Sequence, residues 1–173
     1  MGELNFHAGV MSSGKTASLI EQVKIFDDDQ MYYYSIFSAT GDDKVESRNG
    51  EVREALPISW EAFGGLRSDT WIFIDEAQFL SAGDVEGLRK FSYEREGNIE
   101  CYGLLSNFKG KFFEGSEALV LLADNIYKLD TNCQVCHNNR AINNARTASS
   151  QDLIDLDKNN YIAVCNKCFE ELQ

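Results

Sequence analysis

The sequence is poor in several features that mark particular protein classes. Its 173 residues contain one proline, two histidines, and 16 lysines and arginines against 28 aspartates and glutamates, for a net charge of −12. An acidic chain without a basic stripe repels polyanions, so we expect no nucleic-acid partner. No run approaches the roughly 18 consecutive apolar residues of a membrane-spanning helix. The first ten residues lack the basic-then-apolar order of a signal peptide, so we expect a cytoplasmic protein without membrane contact.

What the chain does contain is ordinary globular material, with 43% hydrophobic residues. Apolar runs predict strands at 4–8, 31–37, 71–74, 99–105 and 126–129, and helical spacing predicts helices at 17–26, 59–66, 84–96 and 116–123. Polar residues and glycines predict loops at 38–54 and 106–117. This alternation predicts an α/β domain with a mostly parallel sheet over residues 1–130. Residues 131–173 are poorer in apolar side chains and form a predicted second, smaller domain.

A phosphate-binding motif follows the first predicted strand. Residues 9–16, GVMSSGKT, fit the pattern G-x-x-x-x-G-K-[ST] at the start of a predicted helix. In such a loop backbone N–H groups wrap an anion, Lys15 supplies a charge to the phosphates, and the Thr16 hydroxyl is offered to Mg²⁺. A chance match in a glycine-containing turn is the alternative, against which the strand and helix context argues. The candidate nucleotide-binding residues are Gly9, Met11, Ser12, Ser13, Gly14, Lys15 and Thr16.

A second motif, WIFIDE at residues 71–76, has the form of an apolar strand that delivers a carboxylate to the edge of a sheet. We predict that Asp75 holds Mg²⁺ and that Glu76 accepts a proton. Gln78 is a further candidate nucleotide-binding residue. A solvated turn would also end a strand with acidic residues, but the pairing with the phosphate-loop motif favours nucleotide binding. Glu76 could activate water, as in an ATPase, or an alcohol, as in a kinase.

Four of the five cysteines form two C-x-x-C pairs, Cys133 with Cys136 and Cys165 with Cys168, separated by 28 residues. Such pairs predict a tetrahedral structural zinc site, with reversible disulfides as the alternative. We expect the fifth, Cys101, to be an inert core thiol.

The remaining candidates are two histidines and a set of aromatic residues. We expect His137 to be exposed and His7 to be structural. Phe79, Phe108, Phe112 and Phe113 lie in or near loops at the predicted ends of strands, where aromatic faces can stack on a base, although phenylalanine more often belongs to a core.

Taken together, the motifs resemble the type II thymidine kinase family. The resemblance rests on GVMSSGKT, FIDEAQF, GLLSNFKGKFFEGSEALVLLADNIYKL, CQVC and NYIAVCNKC, in this order. It implies a RecA-like P-loop domain with a zinc-binding lasso domain and a homotetramer. It also implies transfer of the γ-phosphate of ATP to the 5′-hydroxyl of thymidine or deoxyuridine, with Mg²⁺.

The resemblance assigns roles to individual residues. Glu76 matches the general base, Asp75 the magnesium-associated carboxylate, and Lys15 and Thr16 the phosphate-loop pair. The positions that match those around the nucleoside are Met11, Phe79, Phe108, Phe113 and Tyr161. The positions that match the zinc ligands are Cys133, Cys136, Cys165 and Cys168.

The sequence also departs from the family pattern. Val10 replaces a proline, Asn107 an aspartate, and Leu105 a commonly polar residue, while residues 155–157 replace an I-G-G element. Two mobile-loop elements survive only as GDDK and as residues 47–50. These departures keep three alternatives open: a kinase for a modified pyrimidine deoxynucleoside, a P-loop ATPase, and a nucleotide-binding protein without transfer.

Overall fold

The computed structural model describes residues 2–28, 32–147 and 160–172. Its centre is a six-stranded sheet in the order β5-β2-β6-β7-β1-β8, in which every pairing is parallel. The strands in chain order are β1 (Leu4–Gly9), β2 (Tyr34–Ser38), β3 (Lys44–Glu46), β4 (Val52–Glu54), β5 (Leu56–Pro57), β6 (Trp71–Asp75), β7 (Ile99–Leu104), β8 (Asn125–Leu129), β9 (Asn143–Arg146) and β10 (Tyr161–Val164). The predicted α/β fold with a mostly parallel sheet is confirmed.

Helices cover both faces of the sheet. They are α1 (Lys15–Asp28), α2 (Trp60–Gly64), α3 (Ala82–Arg95), α4 (Glu114–Leu122) and α5 (Asn166–Glu171), with a 3-10 turn at Ala77–Phe79. Leu19, Ile20 and Val23 of α1 are buried in one cluster with Phe73, whereas Ile72 and Ile74 belong to the cluster that α3 and α4 cover. Because successive side chains of a strand point to opposite faces, β6 is buried on both sides, as its continuous apolar run predicts.

Helix ends explain small differences from the predicted bounds. Helix α3 begins at Ala82 because Ser81 caps it: the Ser81 hydroxyl accepts the Asp84 N–H at 3.1 Å and the Asp84 carboxylate accepts the Ser81 N–H at 3.0 Å. Such a capping box satisfies amide groups that have no partner within the helix. Strand β2 begins at Tyr34, later than predicted, and residue 31 lies outside the described residues.

The predicted loop at 38–54 is wrong, because the structure forms an antiparallel hairpin there from β3 and β4. Val45 of β3 is 3% exposed and packs into the α1 side of the core. The turn is closed by hydrogen bonds from Ser47 N–H to Glu51 O and from Gly50 N–H to Ser47 O. Each strand has only three residues, too few for an alternating pattern to stand out in the sequence.

The cysteine-rich segment forms its own small sheet, in which β9 pairs antiparallel with β10. The residues that replace the I-G-G element, 155–157, lie outside the described residues. The last strand of the central sheet ends at Leu129, and the domain boundary at 130/131 stays a prediction. Within the described ranges, no helix has the length and apolar character needed to cross a membrane.

Candidate functional site

Three neighbouring parallel strands bring the predicted site together at one edge of the sheet. The phosphate loop follows β1, Glu76 follows β6, and Ser106 to Phe108 follow β7, which lies between the other two strands. The carboxyl ends of parallel strands share one edge, so residues distant in sequence meet there.

The phosphate loop surrounds a cavity of about 580 Å³. Ser12 and Gly14 have positive φ angles of 59° and 80°, which curl the backbone ahead of α1. Lys15 is 9% exposed, and its ammonium donates to Val10 O at 2.7 Å. The hydroxyls of Ser12 and Ser13 are buried without a hydrogen-bond partner among the described residues. The loop therefore offers the Ser12 hydroxyl, a cation and a helix N-terminus to an anion.

The hairpin turn, residues 46–50, forms the other wall of this cavity. The residues that line the cavity are Met11, Ser12, Gly14, Lys15, Thr16, Ala17, Glu46, Ser47, Arg48, Asn49, Gly50 and Glu76. Gly9 and Ser13 pack against each other instead, since a Cβ on Gly9 would lie 2.1 Å from Ser13 Oγ. Arg48, in the hairpin turn, adds a second cation to the lining of this cavity.

Thr16 and Asp75 face each other, as a pair that holds Mg²⁺ would. The Thr16 hydroxyl donates to Asp75 Oδ2 at 2.9 Å, and Asp75 is 4% exposed. A hydroxyl and a carboxylate are oxygen ligands of the kind that Mg²⁺ takes beside phosphates. The chemistry of the two groups therefore fits the predicted cation.

Glu76 stands at the junction of two cavities, because it lines both the phosphate-loop cavity and a second, aromatic cavity of about 310 Å³. Its backbone is left-handed, with φ 54° and ψ 35°. For a residue with a side chain this conformation costs about 1–3 kcal/mol, and such strain concentrates at functional sites. Met11 is the other residue that lines both cavities.

Gln78 holds the Glu76 carboxylate. Its Nε2 donates to Glu76 Oε2 at 2.7 Å, while its Oε1 accepts the Leu104 N–H at 3.0 Å. Gly103 allows this approach, since a Cβ there would lie 2.9 Å from Gln78 Oε1. Gln78 lines the aromatic cavity and not the phosphate-loop cavity, so its predicted nucleotide-binding role has a different setting from the one expected.

All five predicted nucleoside-binding residues line the aromatic cavity: Met11, Phe79, Phe108, Phe113 and Tyr161. The Phe79 and Phe113 rings meet edge to face at 5.8 Å, and the Phe108 and Tyr161 rings are 6.3 Å apart. Phe112, the remaining aromatic candidate, is 51% exposed and does not line the cavity. The structure brings these residues together, and their roles stay predictions.

Sequence reasoning missed several residues of this cavity, namely Thr40, Asp42, Leu104, Ser106 and Asn144. It also missed Arg146, whose guanidinium lies 4.8 Å from the centre of the Phe108 ring and 5.4 Å from that of Tyr161. A cation over an aromatic face is attracted to it. In the sequence, the only sign that Asn144 and Arg146 belong near the site is that they follow Cys136 closely in the chain.

Two departures from the family pattern have clear positions. Asn107 Oδ1 accepts the N–H groups of Lys109 and Lys111 at 2.9 and 3.1 Å, bonds that an aspartate would equally accept. Leu105 lines a separate cavity of about 190 Å³, together with Lys128 and Arg140. Asn107 lines the aromatic cavity, where its amide stands in place of the family's carboxylate, whereas Leu105 does not line it.

The four cysteines of the two C-x-x-C pairs form a candidate metal centre. Their sulfur atoms all lie within 4.8 Å of one another, and Cys136 Sγ is 3.8 Å from Cys165 Sγ. Tetrahedral zinc with bonds of about 2.3 Å places sulfurs about 3.8 Å apart, whereas a disulfide needs about 2.05 Å. The arrangement fits zinc, and the described cysteines form no disulfide.

Electrostatics agree with this reading of the cysteines. Burial opposes ionisation of Cys133, but backbone N–H groups, among them those of Cys136 and Cys165, outweigh it and lower its pKa to about 6. Desolvation and the neighbouring cysteines raise the pKa of Cys168 to about 12. Four sulfurs this close cannot all ionise without a cation. A bound metal would supply that positive charge and so favour the thiolate forms.

The other singled-out residues are structural. His7 stacks between Tyr102 and Tyr127, at ring distances of 4.3 and 4.9 Å, and its Nε2 lies 2.5 Å from Glu100 Oε2. Cys101 is fully buried, and burial raises the pKa of its thiol. His137 is exposed, as expected.

Comparison with known proteins places the chain in a family. The family model described as thymidine kinase matches residues 2–169. The thymidine kinases of Streptococcus pyogenes serotype M3 and Streptococcus agalactiae serotype Ia are each 32% identical to it over 182 aligned positions, which cover 96% of this chain and 96% of each relative. The chain belongs to the thymidine kinase family.

Proposed function

We propose that the protein is a thymidine kinase, which transfers the γ-phosphate of ATP to the 5′-hydroxyl of thymidine or deoxyuridine. The observation that carries the proposal is the position of Glu76, which lines both the phosphate-loop cavity and the aromatic cavity. A general base must reach the acceptor hydroxyl where it meets the phosphate. Family membership supports the same reaction.

On the donor side, the phosphate loop binds the ATP phosphates through its backbone N–H groups and the Lys15 ammonium. Thr16 and Asp75 would hold Mg²⁺, and Arg48 in the hairpin turn adds positive charge at the opposite wall. When bound, Mg²⁺ supplies charge neutralisation for the phosphate oxygens.

On the acceptor side, the aromatic rings offer faces to a pyrimidine base, and a volume of about 310 Å³ falls at the small end of ligand sites. Glu76 accepts the proton of the 5′-hydroxyl as its oxygen bonds to the γ-phosphorus. The bond from that phosphorus to the bridging oxygen breaks, and ADP leaves with its electron pair. Gln78 keeps the Glu76 carboxylate oriented through its 2.7 Å hydrogen bond.

The cysteine centre would hold a structural Zn²⁺ through Cys133, Cys136, Cys165 and Cys168. When bound, Zn²⁺ joins the two ends of the cysteine-rich segment. This segment supplies Asn144 and Tyr161 to the aromatic cavity, so its fold bears on nucleoside binding. By resemblance to the family we also propose a cytoplasmic homotetramer.

The test is phosphate transfer from radiolabelled ATP to a panel of thymidine, deoxyuridine, 5-substituted deoxyuridines, deoxycytidine and purine deoxynucleosides. We expect transfer to thymidine and deoxyuridine, and a loss of about 10²–10⁴ in kcat for Glu76→Gln, which keeps the size of the side chain and removes the base. Glu86→Gln, on the α3 helix outside both cavities, is the matched control. ADP release that no nucleoside stimulates would contradict the proposal.

A further inference from the structure

Asn144 bridges two parts of the site that lie far apart in sequence. Its Oδ1 accepts the Met11 N–H of the phosphate loop at 2.7 Å, and its Nδ2 donates to Ser106 O, after β7, at 3.0 Å. The partners fix the orientation of the carboxamide, since Met11 offers a donor and Ser106 an acceptor. Asn144 is 3% exposed, so both bonds lie away from water.

The bridge removes one amide from the anion cradle. The Met11 N–H donates to Asn144 and is therefore not available to a phosphate. N–H groups later in the loop would bind the phosphates instead. The Met11 side chain nevertheless lines both cavities, and Ser106 lines the aromatic one. A side chain that holds Met11 and Ser106 at a fixed separation therefore fixes one dimension of the aromatic cavity.

Asn144 is itself held by the cysteine-rich segment. It pairs with Ala163 in the β9–β10 register. Gln134, inside the first C-x-x-C pair, forms hydrogen bonds with both backbone groups of Ala163. Gln134 N–H donates to Ala163 O at 2.9 Å, and Gln134 Oε1 accepts the Ala163 N–H at 2.6 Å. Gln134 therefore links the first C-x-x-C pair to Ala163, the residue that lies opposite Asn144 in the small sheet.

We propose that Asn144 is a positioning residue that clamps the phosphate loop to the end of β7, and that it transmits the fold of the cysteine-rich segment to the nucleoside cavity. The expected effect on the thymidine KM rests on the proposed kinase function. The clamp itself is a structural property of the chain. It is tested separately for that reason.

The experiment compares the full-length, zinc-bound wild type with Asn144→Ala and Asn144→Asp. The alanine variant loses both bonds, so we expect the thymidine KM to rise about tenfold with a much smaller change in kcat, and hydrogen exchange at the Met11 amide to accelerate about fivefold or more. The aspartate variant keeps the acceptor for Met11 and loses the donor for Ser106. We expect it to raise KM while Met11 stays protected.

Asn143 provides a matched control in the same strand, because its carboxamide donates to Asn166 Oδ1 and reaches neither cavity. Asn143→Ala should leave KM and Met11 exchange unchanged. Gln134→Ala should shift both in the direction of Asn144→Ala.

Unchanged KM in both Asn144 variants, with thymidine turnover intact in the wild type, would overturn the positioning role. Unchanged Met11 exchange in Asn144→Ala would overturn the clamp. If the alanine variant does not fold, the thymidine KM of Asn144→Asp decides the positioning role, and Met11 exchange in Gln134→Ala decides the clamp. Failure of the wild type to phosphorylate any nucleoside would count against the proposed function alone, because Met11 exchange reports on the clamp without turnover.

Discussion

The substitution Gln78→Glu would turn the group that orients Glu76 into a second carboxylate. Gln78 is 2% exposed, its Nε2 lies 2.7 Å from Glu76 Oε2, and its Oε1 accepts the Leu104 N–H. A glutamate keeps the size of the side chain and the acceptor for Leu104. Only the donor to Glu76 is lost, and a negative charge replaces it.

Two carboxylates at this distance do not both ionise readily, so the two groups should share a proton and the upper apparent pKa of the pair should rise. Two charges about 4 Å apart repel by about 4 kcal/mol at an effective dielectric constant of about 20, and about 1.4 kcal/mol corresponds to one pKa unit. At this dielectric constant the pKa would rise by about three. Since Glu76 borders two open cavities, solvent screening reduces the shift, and we expect at least about one unit.

A general base works only when it is unprotonated, so the acid limb of the pH profile should move upward. The measurement is kcat/KM for thymidine between about pH 5 and 9 at saturating ATP, which reports on the base in the ATP-bound enzyme before thymidine binds. Stability should fall as pH rises above about 4.3, the ordinary pKa of glutamate, because the folded variant binds more protons than the unfolded chain. Denaturant unfolding at two pH values checks this sign.

Gln22→Glu is the matched control for Gln78→Glu. Gln22 accepts a hydrogen bond from the Tyr102 hydroxyl through Oε1, which a glutamate retains, and it lines neither cavity. Its acid limb should match that of the wild type. A folded Gln78→Glu variant with an unshifted acid limb would refute the view that Gln78 controls the Glu76 carboxylate.

Two further predictions concern the donor side and the metal centre. Lys15→Ala should weaken ATP binding and turnover together, measured by calorimetry with a non-hydrolysable ATP analogue and by kcat, because it removes the only lysine that lines the phosphate-loop cavity among the described residues; unchanged ATP affinity would contradict the assignment. Cys168→Ser should lower bound zinc below one equivalent per chain and accelerate proteolysis of residues after 131, whereas Cys101→Ala, a buried thiol in β7, should retain the metal. Full zinc in Cys168→Ser would contradict the four-cysteine centre.

The sequence predicted those parts of the site whose geometry is local. The phosphate loop, α1 and the β6 strand with its two carboxylates each occupy one short stretch, so spacing alone locates them. Aromatic candidates followed from their positions near strand ends, and four of five cysteines from their pairs. The hairpin at 44–54 was not predicted, because Val45 is its one buried apolar side chain. A single buried residue produces no periodic pattern in the sequence.

The contacts that link these parts could not be predicted. Asn144 is separated by 133 residues from Met11 and by 38 from Ser106. An asparagine in an asparagine-rich stretch has no pattern that distinguishes it from its neighbour Asn143, which faces away. Gln78 posed a related difficulty: the sequence placed it beside Glu76, but its second bond, to Leu104, depends on the pairing of β6 with β7.

The order of the strands explains why these long-range contacts matter. Strand β7 lies between β6, which Glu76 follows, and β1, which the phosphate loop follows. The strands that lead to Glu76 and to the phosphate loop are therefore not neighbours in the sheet. Apart from the direct Thr16–Asp75 hydrogen bond, their separation therefore depends on the end of β7. Gln78 ties the Glu76 side to β7 at Leu104, and Asn144 ties the loop side to β7 at Ser106. Two carboxamides on opposite sides of one strand end, together with the Thr16–Asp75 hydrogen bond, thus link Glu76 and the phosphate loop to each other.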